Sequence, residues 1–158
     1  MNSPLEYEKL QEKCIKYLND RKFISVATGL QNQVRVRVVD YVNDGIRLGF
    51  LTWEDTLKME HLKQNPAISL CVDSLQMEGK AKILGPPGAK ENESFMDMYK
   101  ERHPSPYKNF VSLANTSLIV VEPSLLILMK YENNHLYLDH LDITSKTAFR
   151  KELSPWTP

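Results

Sequence analysis

The chain has 158 residues, 42% of them hydrophobic, and its 20 Lys and Arg are balanced by 20 Asp and Glu. A length of this kind is most simply one domain with a substantial core. Zero formal charge excludes a long-range field that would draw nucleic acid, and it gives little resistance to self-association. No apolar run approaches the ~18 residues that span a bilayer, and no signal-peptide pattern opens the chain, so no membrane contact and a cytoplasmic location are expected.

Ser3, Pro4 and Glu6 read as a helix start: a cap, a proline at the first helical position and an acidic residue three places after the cap. Tyr7, Leu10, Cys14, Tyr17 and Leu18 then recur at helical spacing, so an amphipathic helix is expected to run to about residue 20. Residues 22–28 read as a strand, 29–33 as a turn and 34–42 as a strand rich in β-branched residues. Asn43-Asp44-Gly45 is a hairpin signal, with the partner strand over 46–52. A helix from about 55 to 64 stops before Asn65-Pro66, because proline cannot continue a helix.

Residues 67–73 and 77–84 read as a further antiparallel pair, and Gly85-Pro86-Pro87-Gly88 breaks the sheet. Two helical segments are expected over 89–114, split by His103-Pro104-Ser105-Pro106. Residues 117–121 and 125–131 return to strand, Asn133-Asn134 turns into a short strand over 135–139, and the tail from Leu153 is expected to be a loose end. Strands joined mostly by hairpins indicate an antiparallel barrel or sandwich with helices packed outside.

Chemistry-bearing residues concentrate between positions 34 and 58. Alternation on a strand puts Val34, Val36 and Val38 on one face, expected to fill the core, and Arg35 and Arg37 together on the other. The arginine pair is either a solvated strand face or an anion clamp, since guanidinium offers a fork that matches phosphate oxygens. Thr52 sits at a strand end. Asp55 or Thr56 is the expected helix cap, which places Lys58 in the first turn, where the dipole disfavours a cation. Free backbone N–H groups, the Thr56 hydroxyl and Lys58 together make a niche suited to phosphate. Alternatively, Lys58 is an exposed lysine paired with Glu54 or Glu60. The Asn43–Gly45 hairpin is expected to make the arginine strand and the strand ending at Thr52 neighbours, so that both face one pocket.

Trp53 suits stacking on a planar ring or packing on the helix, and His61 is expected to face solvent. Cys14 and Cys71 lie far apart in apolar stretches and are expected to be buried free thiols. No two histidines have metal-ligand spacing, so no metal site is expected. No residue stands out as a nucleophile or general base, and the catalytic residues are unknown at this level. A bound redox cofactor would account for that, because the cofactor then carries the chemistry.

The ordered series Val34-Arg-Val-Arg-Val-Val-Asp-Tyr41, Asp44-Gly45, Phe50-Leu-Thr52 with Thr56-x-Lys58, Asn65-Pro66-x-Ile-Ser-Leu70 and Glu78-Gly-Lys-Ala81 resembles the pyridoxamine 5′-phosphate oxidase-like family of FMN-binding split barrels. The spacing follows that family over about residues 6–131 of a single domain spanning 1–158. The resemblance implies a mainly β fold with peripheral helices, an antiparallel Greek-key split β-barrel. It also implies a homodimer with FMN in a cleft at the dimer interface. Phosphate contacts then fall on Arg37, Thr52, Thr56 and Lys58, with Arg35 as a further member. The flavin ring lies along the main chain near Arg37, Val38 and Val39, beside Leu51. Leu57 stands where the oxidase usually has arginine, and Leu51 where it has an aromatic residue. The oxidase's C-terminal segment, with its Trp and Arg-Leu-x-Pro ending, is not matched by residues 148–158. The resemblance is therefore to general-stress and nitroimidazole-resistance-like members, not to the oxidase proper. It implies an NAD(P)H-linked flavin oxidoreductase with a small-molecule acceptor. The alternative is a non-catalytic flavin- or haem-binding or sensing module.

Overall fold

The computed structural model describes residues 2–112 and 114–153. Its frame is one antiparallel sheet that curls into an open barrel. β1 (Asn2–Pro4) is followed by α1 (Tyr7–Asn19), then β2 (Phe23–Leu30), β3 (Gln33–Asp40), β4 (Val42–Asp44) and β5 (Arg47–Trp53). Next come α2 (Leu57–Gln64), β6 (Ala67–Val72), β7 (Leu75–Ile83), α3 (Glu93–Arg102) and α4 (Pro104–Phe110). The chain closes with β8 (Thr116–Glu132), β9 (His135–Asp142) and β10 (Thr147–Leu153). Strand order is β1-β10-β9-β8-β7-β6-β2-β3, with β5 paired to β8 and to β4.

Turn chemistry explains several connections. Gln31 and Asn32 join β2 to β3 with φ of 49° and 64°, and Asn133 and Asn134 join β8 to β9 with φ of 52° and 64°. Asparagine enters this left-handed region at low cost because its side chain bonds locally. Gly45, at φ 61°, turns β4 into β5. The main core gathers alternate residues of the strands, among them Ile24, Val26, Leu48, Phe50, Leu70 and Leu126, under the buried face of α1, Leu10, Cys14 and Leu18. A second cluster joins Phe95, Met96 and Tyr99 of α3 to Val42, Leu118 and Val120. Among the described residues, no helix is long and apolar enough to cross a membrane.

Gly79 marks the tightest backbone approach. The register of β7 on β8 shifts between Glu78 and Gly79. A methyl group there would meet the Glu122 carbonyl oxygen and lie 2.9 Å from the Pro123 Cα. Backbone cannot swing aside as a side chain can. Gly79→Ala is therefore expected to cost about 1–3 kcal/mol of stability, read as a fall in the urea midpoint. An unchanged midpoint would show that the strands separate freely at this point.

Several expectations are corrected. Ser3 and Pro4 do not start a helix. They lie in β1, which adds to the edge of β10 with Pro4 opposite Phe149. Glu6 then occupies the cap without a side-chain bond. The two strands expected over 117–131 are one 17-residue strand running through Pro123. Residues 147–153, expected to carry no element, complete a second hairpin because β9 offers them an unpaired edge. Positions 154–158 of the expected loose tail lie outside the described residues.

The largest correction concerns β3. Val34, Val36 and Val38 are 69%, 67% and 66% exposed, so they do not fill the core. Arg37 and Val39 stand opposite the buried Val26 and Ile24, on the barrel side. The hairpin at Asn43–Gly45 pairs β5 with β4, not with β3. β3 lies beside β5 without ladder hydrogen bonds, and this is where the barrel is split.

Candidate functional site

The split places the start of α2 next to β3 and the end of β5. Thr56 caps α2: its Oγ1 accepts from Met59 N at 3.3 Å and donates to the Trp53 carbonyl at 2.9 Å. Thr52, the last buried residue of β5, brings its hydroxyl within 3.3 Å of the Thr56 hydroxyl. Lys58 follows one residue into the helix and lays its ammonium 5.3 Å from the centre of the buried Phe50 ring. A cleft of about 300 Å³ opens here, lined by Leu51, Thr52, Trp53, Thr56, Lys58 and Asp40, with Tyr99, Phe110 and Thr116 on the side of the helices and β8.

Lys58 carries the unusual electrostatics. Its pKa is pushed down to about 8, first by burial and then by the neighbouring Arg37 charge, with Asp40 pulling the other way. The expected alternative, an ion pair with Glu54 or Glu60, does not form among the described residues. Glu54 is held by Lys63 at 2.9 Å and by the Ser117 hydroxyl. An ammonium held partly out of water, under the influence of a second cation, is stabilised by an anion beside them.

Arg37 is anchored through one end only. Its Nη1 donates to Thr28 Oγ1 at 2.8 Å, to the Arg35 carbonyl at 2.9 Å and to the Val26 carbonyl at 3.4 Å. Its other two guanidinium nitrogens have no protein partner among the described residues. Burial, and then Arg35, lower its pKa. Thr28 is itself buried and lies 3.0 Å from Nδ1 of His61. His61, expected in solvent, is 2% exposed, because α2 packs Met59, His61 and Leu62 against the barrel. A fixed chain thus runs from α2 through β2 to the arginine.

Of the eight residues singled out in the sequence, Leu51, Thr52, Thr56 and Lys58 line one cleft. Arg37 does not line it, but its charge acts on Lys58. Arg35 is exposed on β3, Val38 points to the outer face, and Val39 packs against the core. Trp53 is 48% exposed at the cleft and packs edge-on to Phe110 of α4 at 5.8 Å. Cys14 is buried, its thiol pushed up to about 11 by burial. Cys71, expected to be buried, is exposed, because β6 alternates and Cys71 shares the outer face with Ala67 and Ser69. Among the described residues, no group of three or more His, Cys, Asp or Glu could hold a metal ion.

A family model described as pyridoxamine 5′-phosphate oxidase matches residues 10–130. The chain belongs to that family. No curated protein matches it.

Solved structures agree on the fold at low sequence identity. An FMN-binding protein related to pyridoxamine 5′-phosphate oxidase from Nostoc punctiforme is 14% identical, with a TM-score of 0.60 over 94% of this chain and 95% of that one. A protein related to general stress protein 26 from Clostridium acetobutylicum is 18% identical, with a TM-score of 0.62 over 88% of this chain and 98% of its own. The haem storage protein HutZ from Vibrio cholerae is 16% identical, with a TM-score of 0.65 over 75% of this chain and 94% of its own. All three share this split-barrel architecture.

Four of the residues that line the cleft were missed by sequence reading. Asp40, Tyr99, Phe110 and Thr116 come from four elements far apart in the chain. Tyr99 recurs with Phe95 and Met96 at helical spacing and looks like ordinary core. Asp40 alone carried a signal, as a carboxylate at the end of a β-branched run.

Proposed function

We propose that the chain is a cytoplasmic FMN-binding flavoprotein, built as one cofactor-binding domain over its whole length. Lys58, Thr52, Thr56 and the free end of Arg37 hold the phosphate, with Arg35 contributing from the rim. The β3 main chain at Val38 and Val39, together with Leu51, borders the ring. The observation that carries this reading is Lys58: a partly desolvated ammonium at a helix start, without an ion-pair partner among the described residues, in one cleft with the Thr52 and Thr56 hydroxyls and under the charge of Arg37. Anions are favoured at such helix starts, and charge-assisted bonds of this kind net roughly 1.5–3 kcal/mol each.

Size supports a shared site. A cleft of about 300 Å³ is at the lower end for small-molecule pockets, which span roughly 300–1,000 Å³. FMN would overfill one protomer's share. The exposed valine row of β3 lies beside the cleft and suits a second copy of the chain, so the protein acts as a homodimer with cofactor at the interface.

When bound, FMN supplies hydride and single-electron chemistry. The protein binds and orients it, and the reaction is NAD(P)H-linked reduction of a small acceptor. Titration with FMN, FAD and haem tests the reading. FMN is expected to bind at micromolar concentration or tighter, with inorganic phosphate competing. Haem binding without FMN binding would move the protein to a haem-handling role, and binding of neither would end the cofactor reading.

A further inference from the structure

The cleft holds polar and aromatic groups that the phosphate niche does not use. Tyr99 of α3 is buried and donates its hydroxyl to Asp40 Oδ1 at 2.9 Å. The second oxygen of Asp40 has no protein partner among the described residues. Thr116, at the start of β8, is 4% exposed and lines the same cleft, yet its Oγ1 has no hydrogen-bond partner among the described residues. Buried hydroxyls are rarely left unmatched, so an orphan at a cleft wall points to a ligand atom. Trp53 and Phe110 meet edge-on at 62°, giving the cleft an aromatic flank.

We infer that Asp40, Thr116, Trp53 and Phe110 form the subsite for the second reactant, and that it takes a planar heteroaromatic molecule presenting hydrogen-bond donors or positive charge. Asp40 sets the charge preference, and Tyr99 is its positioning residue. The inference rests on the flavin reading and names the substrate class of that site.

Charge balance supports the assignment. A phosphate dianion neutralises Lys58 and Arg37. The charge then left in the cleft is the carboxylate of Asp40. A carboxylate or phosphate on the second reactant would face it in a partly desolvated space and be rejected. An amine, amidine or ring N–H would instead donate to the free oxygen. The aromatic flank favours a flat ring, through edge or face contact. Burial, and then the Asp40 charge, raise the Tyr99 pKa, so the phenol stays protonated and keeps donating.

Three probes of one shape test this: benzamidine, benzamide and benzoate, titrated by calorimetry into flavin-loaded protein in phosphate-free buffer. Benzamidine is expected to bind at least tenfold tighter than benzoate, with benzamide between. Asp40→Asn is expected to bring benzamidine down to the level of benzamide and to strengthen benzoate. Trp53→Ala, which leaves Asp40 in place, is expected to weaken all three alike. Equal binding of benzoate and benzamidine, or an unchanged ratio in Asp40→Asn, overturns the subsite. Flavin retention is read separately from its absorbance. A parent that cannot be loaded with flavin overturns the cofactor reading, and the probe ranking on the flavin-free protein in saturating inorganic phosphate then decides the subsite alone.

Discussion

Replacing Lys58 with methionine is expected to lower FMN affinity about 10- to 100-fold, the loss of one charge-assisted contact. The fold should survive, because methionine fills the place of the lysine stem over Phe50 and carries no charge to desolvate. The pH dependence separates this role from a structural one. The folded pKa is lowered to about 8 from an ordinary value of 10.5. Below about pH 8 Lys58 is protonated in both folded and unfolded chains, and the folded state bears the whole penalty of a buried charge. Between about 8 and 10.5 the folded chain has lost a proton that the unfolded chain keeps, so stability at this residue rises with pH. Anion binding runs the other way. FMN affinity is expected to fall above about pH 8, by at most tenfold per pH unit, as the ammonium is lost. Fluorescence titration from pH 6.5 to 9.5 should show that fall in the parent and a flat profile in Lys58→Met over the same range. Parallel profiles would remove Lys58 from the phosphate site.

What could be read from sequence was what local chemistry decides. Asn43-Asp44-Gly45, Asn65-Pro66 and His103-Pro104 punctuate the chain where the structure turns, because glycine, asparagine and proline restrict the backbone whatever surrounds it. The Thr56 cap was legible for the same reason: a hydroxyl that accepts from Met59 N needs only its own helix. Ser3 and Pro4 carried an equally good start signal and were overruled. Pairing with β10 satisfies backbone groups along Asn2–Pro4, which a helix beginning at Pro4 would have left to water at its first turn.

The facing of β3 was not legible, and the site depended on it. Valine and arginine alternate with period two, and the pattern is symmetric: it states that two faces differ without stating which one is inside. On a strand buried against its own barrel, valine would win. β3 is an edge strand beside the split, so Arg37 turns inward to Thr28 while the valines turn out. The strand expected beside β3 is replaced by β2, and what links Arg37 to the cleft residue Lys58 is its charge, which lowers the pKa of that lysine. Asp40, Tyr99 and Thr116 meet only through long-range packing that no local motif encodes.

An outward row of valines makes the second large effect a matter of assembly. Val34, Val36 and Val38 are each about two-thirds exposed, and Phe23 adds a fourth apolar side chain at 61%. Soluble folds rarely leave a long apolar edge strand bare, because it invites pairing with another chain. Cross-strand neighbours of the row are Ser25, Ala27 and Gly29, small enough to let a second surface approach closely. Val36→Glu places a charge at the centre of this row. In a monomer the change is almost free, since the side chain stands in water. In a dimer it buries two unpaired carboxylates, a penalty of several kcal/mol. The parent is expected to sediment as a dimer at micromolar concentration, and Val36→Glu to raise the dimer dissociation constant at least 100-fold without lowering the thermal midpoint of the isolated protomer. Flavin retention in Val36→Glu should then recover as protein concentration rises, because its phosphate niche is intact and only the second half of the cleft is missing. Lys58→Met should show the reverse, a dimer whose flavin loss does not depend on concentration. A parent that sediments as a monomer while holding flavin would leave the valine row without a partner and return the whole cofactor site to a single protomer.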